Sequence, residues 1–177
     1  MRTRTRIRYC ALIASVVVGG SLASTGVKAQ NRDCLDTLAG MQEAFRFVDV
    51  ATRGHVESQL RDVGPFTVFV PTNEAIAAVA PYLRPVLFPV NDNSNADVAL
   101  VRAALNAHIL QGRYTSAAVE PGMTVTARTL AGTPIQFTNT NGVITIMVPN
   151  SDPVRVVRAN IPCSNGVIHI IDRSLVR

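Results

Sequence analysis

Ala159 to Val176 reads ANIPCSNGVIHIIDRSLV, and its apolar centre decides the fold. Val167 to Ile171 is β-branched throughout except for His169, which predicts a strand. Alternation along a strand puts Val167, His169 and Ile171 on one face and Ile168 with Ile170 on the other. Both faces are apolar, so the strand is expected to be covered on both sides, with a histidine inside that cover.

Further strands precede it. Period-two patterning predicts strands over Met123 to Leu130, Ile135 to Thr138 and Val143 to Val148, the last two joined by an Asn141-Gly142 turn, and over Val154 to Val157. Phe66 to Val70, after the Gly64-Pro65 break, reads as a buried strand that Pro71 stops. Thr72 or Asn73 can then accept from the free N–H groups of a helix over Glu74 to Val79.

The front half is helical. Leu35, Leu38, Met41, Phe45 and Val48 recur every three or four positions and predict a helix that Gly54 ends, with a short second helix holding Val56 and Leu60. An irregular, proline-interrupted crossing comes next, and then a helix over Ala96 to Leu110 with Val101, Leu105 and His108 on one face. Helices followed by a run of strands define an α+β domain, with helices gathered at one end or face of a mainly antiparallel β-structure.

The first residues, MRTRTRIRY, carry four arginines and no acid, and they lead into an apolar run from Cys10 to Ala23 and the small-residue tail TGVKAQ. That order describes a signal peptide over residues 1–29. A retained anchor would need roughly 20 uninterrupted apolar residues, and Gly19 and Gly20 interrupt this shorter run. Its removal takes five of the 17 basic residues and none of the 12 acidic ones. The mature chain, residues 30–177, is then near neutral and no basic stripe is left for nucleic acid. Its length suits one compact domain with a core over about residues 35–176. The expected location is secreted or periplasmic, with no transmembrane segment after cleavage. Cys34 and Cys163 survive in a compartment where disulfides persist, and they are expected to pair, two free buried thiols being the alternative.

Three stretches resemble the signature segments of the fasciclin domain: TVFVPTNEAI at Thr67 to Ile76, LNAHIL at Leu105 to Leu110, and the quoted stretch at Ala159 to Val176. Their order and spacing agree with that family across nearly the whole mature chain. The resemblance implies a fasciclin-like wedge or sandwich in which Pro71, Thr72, Asn73, His108, Asn165, Gly166, His169 and Asp172 are motif residues, His108 helping to join the three segments. Some secreted bacterial relatives tie an N-terminal cysteine to one before the closing strand, which supports the Cys34–Cys163 pairing. Ile76 stands where most members carry phenylalanine, and Ala107 where they carry tyrosine, so the resemblance by itself does not imply the integrin recognition that involves the tyrosine-histidine region of some animal members.

The candidate chemistry is sparse. A histidine in an apolar strand is expected to be neutral and hydrogen-bonded, a core group and not a catalytic one. Ser174, His169 and Asp172 supply the residue types of a hydrolase, but positions three and five apart in or just after one strand point in different directions, and no G-x-S-x-G elbow is present in the mature chain. Three histidines without H-E-x-x-H or close pairing give no metal constellation, and no cofactor is expected. Two non-enzymatic readings remain. One is an extracellular interaction module binding a protein or a cell-envelope or matrix component, through exposed residues near the first two signature segments. The other is a carrier of an apolar small molecule such as a carotenoid, as some secreted family members are, with Phe66, Phe69, Phe88 and Val90 lining its groove.

Overall fold

A computed structural model describes residues 32–87 and 97–176. The expected signal peptide lies outside these residues.

The N-terminal helical stripe is broken into two helices, α1 (Cys34–Ala39) and α2 (Phe45–Arg53), with a 3-10 turn at Gln42–Ala44 between them. The continuous helix expected from the 3.6-residue period is therefore corrected. Gly40, a poor helix former, ends α1, and the turn shifts the helical phase of α2. Phe45, expected on the buried stripe, is 67% exposed, while Phe47 and Ala51 take the core positions of α2. Gly54 ends α2 as the sequence implied, and α3 (Glu57–Arg61) buries Leu60.

Strand β1 (Phe66–Pro71) is buried at every position. The Thr72 hydroxyl then accepts from the Ala75 N–H at 3.2 Å and caps α4 (Asn73–Ala77). A short α5 (Arg84–Leu87) precedes α6 (Val98–Asn106), whose N-cap is Asp97.

The helix expected to reach Leu110 stops at Asn106. Ile109–Gln111 leaves it as strand β2, antiparallel to β1, with Thr67 opposite Leu110. Residues 109–111 satisfy their backbone on the free side of β1 and bury both Ile109 and Leu110, which a continued helix would not do at once. The remaining strands are β3 (Thr124–Arg128), β4 (Pro134–Thr140), β5 (Val143–Met147), β6 (Val154–Cys163) and β7 (Gly166–Ile171). β6 runs six residues past its expected end at Val157, with register irregularities between Val156 and Ile161.

The strands form one sheet in the order β2-β1-β7-β6-β5-β4-β3. Every pairing is antiparallel except β1 with β7, which runs parallel and sets Phe69 beside His169. The two edges approach each other: Leu110 bridges to Thr129, and the Leu130 N–H donates to the Ile109 carbonyl at 2.8 Å. The sheet is thus nearly closed, which protects its edge strands.

β1 and β7 separate two apolar cores. Val68, Val70, Ile168 and Ile170 face the helices and pack with Leu38, Phe47, Leu60, Val101 and Leu105. Phe69 and Ile171 face the other way, into Leu110, Ile135, Phe137, Ile146 and Val154 from the rest of the sheet. Each fully buried Leu or Ile contributes about 2 kcal/mol of transfer free energy, so β7, buried on both faces, is central to the stability of both cores. This is the α+β arrangement read from the sequence, with its helices on one side of a mainly antiparallel sheet.

Candidate functional site

The three motif stretches converge on one point. The Phe69 N–H of β1 donates to the His108 carbonyl at 2.8 Å, and the Thr72 N–H donates to the Ile171 carbonyl at 3.0 Å. His108 closes the junction. Its Nδ1–H donates to the Ala104 carbonyl at 2.7 Å, and its Nε2 accepts from the Leu175 N–H at 3.0 Å. These partners select the neutral tautomer protonated at Nδ1. The Phe47 ring meets it edge-on at 6.1 Å. Burial drives the His108 pKa down to about 4, and the Ala104 hydrogen bond opposes that only in part.

His169 is arranged the same way with the opposite tautomer. Nε2–H donates to the Tyr114 carbonyl at 2.8 Å, Nδ1 accepts from the Asn160 N–H at 3.3 Å, and the ring stacks on Phe69 at 5.5 Å. Burial lowers its pKa too, against the Tyr114 hydrogen bond. Asn160, in the left-handed region at φ 61°, completes the clamp: its side chain accepts from the Ser116 N–H and donates to the Ser116 hydroxyl.

The remaining motif residues also hold backbone. Asn165 accepts from the Cys34 N–H at 2.9 Å and donates to the Leu60 and Asp62 carbonyls, both at 2.9 Å, so one amide joins α1, the end of α3 and the start of β7. Gly166 packs so closely on β1 that a Cβ there would overlap the Phe66 carbonyl oxygen. Cys34 and Cys163 form a disulfide that ties α1 to the end of β6. Pro71 is the last residue of β1, opposite Ile171. Asn73 reaches back to the N-terminal helices: it accepts from the Arg46 N–H at 3.0 Å, near the start of α2, and donates to the Gln42 carbonyl. Asp172 accepts from the Arg155 N–H at 2.8 Å.

The hydrolase residue types are dispersed. Asp172 is taken up by Arg155, and Ser174 lies 3.4 Å from His108 Nε2, not beside His169. His108 is a poor base there, because its Nε2 lone pair already accepts from Leu175 and burial disfavours the proton. Among the described residues no group of three or more His, Cys, Asp or Glu side chains could hold a metal ion, and no helix is long and apolar enough to cross a membrane.

Phe66 and Phe69, two of the four residues expected to line a groove, do not share one side of the sheet. Successive strand alternation sends them to opposite faces of β1, Phe66 into the helix-side core and Phe69 into the other. Phe88 and Val90 lie outside the described residues. A different concavity opens at the motif junction. Phe47 and Val50 of α2, Val79, and Val101 with Leu105 of α6 wall an apolar cleft of about 40 Å³ that has His108 and Ser174 among its lining. Beyond Ser174 and Val176 it adjoins a groove of about 700 Å³ carrying Glu74, Asp152, Asp172 and Arg173. The helical periods marked Val101 and Leu105 as core, and nothing in the sequence showed that they also line a depression.

A nearly closed seven-stranded sheet, helices on one side and a histidine-centred joint of three motif stretches define a fasciclin-type module. The Fasciclin domain model matches residues 42–177, and the chain belongs to that family. Protein sll1483 of Synechocystis sp. is similar at 28% identity, over 99% of this chain and 98% of that protein. Human periostin is 24% identical over 73% of this chain, which spans only 14% of periostin. In three dimensions the chain is similar to the FAS1 domain pair of the insect cell adhesion molecule Fasciclin I. The TM-score is 0.66 at 21% identity, over 84% of this chain and 52% of the other. That likeness shows the fold alone.

Proposed function

We propose that this protein is an exported, non-enzymatic interaction module that associates with a protein or with a component of the cell envelope or matrix. One observation carries the reading: His108, His169 and Asn165 each hydrogen-bond the protein's own backbone on both sides of the ring or amide. Their chemistry is committed to holding shape, and what remains for function is the surface those joints fix. Family membership supports it, as does the adhesion role named for the insect molecule that shares the fold. In this reading residues 1–29 are a signal peptide removed on export, residues 30–177 form one domain, and the Cys34–Cys163 bond suits an extracytoplasmic location.

The test is chemical crosslinking in the native envelope, purification of the protein under denaturing conditions, and mass spectrometry of the attached species. A defined macromolecule that excess purified protein competes away is the expected result. Recovery of an apolar small molecule alone, with visible absorption in the pure protein, would replace the reading with that of a carrier. An esterase or glycosidase activity abolished by His169→Gln or His108→Gln, with the fold intact, would replace it with that of an enzyme.

A further inference from the structure

We infer that the cleft at the motif junction docks a partner polypeptide through the tip of one apolar side chain set beside a basic one. The inference rests on the interaction reading and adds the partner's chemistry.

The cleft wall is apolar on three sides, from α2, the end of α4 and α6. Its volume of about 40 Å³ admits the end of a single side chain and is far too small for an extended acyl or polyene chain. A small apolar depression of that kind, lined by core side chains, matches the anchor residue of a protein interface, where one buried aromatic or aliphatic group carries most of the affinity. The adjoining groove sets the charge. Among the described residues, Glu74, Asp152 and Asp172 face it with one lining cation, Arg173. Arg173 is already paired with Asp152 at 3.0 Å. Asp172 has the Arg155 guanidinium at 3.7 Å, and Glu74 forms no salt bridge among the described residues. The open charge beside the anchor pocket is therefore negative, and the complementary ligand carries an arginine or lysine next to its anchor.

The experiment uses the disulfide-bonded protein with labelled methyl groups, titrated by NMR at low ionic strength with three peptides: acetyl-Gly-Phe-Gly-Arg-Gly-amide, the same peptide with Glu for Arg, and the same peptide with Ala for Phe. The Phe/Arg peptide is expected to shift the methyls of Val50, Val79 and Val101. The Glu peptide should bind about tenfold more weakly, and the Ala peptide should leave those methyls unmoved. Glu74→Gln, an exposed substitution, should narrow the gap between the Arg and Glu peptides while the spectrum stays folded. Equal binding of the Arg and Glu peptides, or shifts elsewhere on the surface, overturns the inference. So do shifts of the same methyls with protein concentration alone, which would assign the cleft to a second copy of this chain. Such a failure is separable from failure of the interaction reading, which the envelope crosslinking decides independently.

Discussion

Acid should unfold this protein partly through one side chain, His108. In the folded chain both ring nitrogens are engaged, Nδ1–H with the Ala104 carbonyl and Nε2 with the Leu175 N–H. A proton on Nε2 would face that N–H inside a buried site. Burial accordingly holds the folded pKa at about 4, below its ordinary value of 6.5. Because the folded pKa is lowered, the unfolded chain takes up the proton first as pH falls. The stabilisation is complete above pH 6.5 and is lost between 6.5 and 4. At pH 4.5 the loss from this group is about 2 to 3 kcal/mol relative to neutral pH. Urea unfolding followed by circular dichroism at pH 7.5 and pH 4.5, on the native sequence and on His108→Gln, isolates it, because contributions from His169 and the carboxylates appear in both proteins. With a urea slope near 2 kcal/mol per molar, the native midpoint should fall about 1 M further than the variant's. Identical pH dependence in the two proteins, or a His108 resonance titrating near its ordinary value in the folded state, would refute the reasoning.

Four further outcomes are expected, the two glycine substitutions forming one comparison. Asn165→Ala removes three hydrogen bonds, two of them partly buried (to Cys34 and Leu60) and one exposed (to Asp62), and should lower stability by about 2 to 3 kcal/mol in urea unfolding; a loss under about 1 kcal/mol would contradict the clamp. Gly166→Ala should prevent folding or cost more than about 3 kcal/mol, because its Cβ would overlap β1 backbone. Gly142→Ala, where no atom lies within 4 Å of an added Cβ and only the φ of 85° resists, should cost about 1 kcal/mol, and circular dichroism with thermal unfolding ranks the pair. Intact mass with and without reductant should show the Cys34–Cys163 bond in exported protein, and reduction should cost up to about 5 kcal/mol for a loop of 129 residues. His169→Gln keeps a donor and an acceptor near Tyr114 and Asn160, so it should stay folded, lose about 1 to 2 kcal/mol and bind as before, which a melt and a binding assay check together.

Much of the architecture was legible because strand alternation is a local property. Val167 to Ile171 and Phe66 to Val70 announce themselves as doubly covered strands, and in the structure they lie side by side, between β2 and β6. The helical stripe misled at Phe45 for an equally definite reason. The period from Leu35 to Val48 carries no record of the turn at Gln42–Ala44, and the start of α2 is bonded by Asn73, 27 residues away. Ile109 continues the helical period of α6, yet the open side of β1 claims it together with Leu110. At the site, the residue types could be read but their partners could not. Ser174 is five positions from His169 in sequence, whereas in space it is His108, 66 positions away, that it meets.

The sequence by itself determined the class of the fold, the covered closing strand and the cysteines able to pair, since each depends on side-chain period, residue type or compartment. The tertiary structure alone decided the tautomers of His108 and His169, the threefold grip of Asn165 and the cleft between α2, α4 and α6. A histidine's protonation is fixed by what its two nitrogens meet, and a depression exists only where separate elements fail to touch. Both depend on residues brought together from distant parts of the chain, and no local pattern encodes such a meeting.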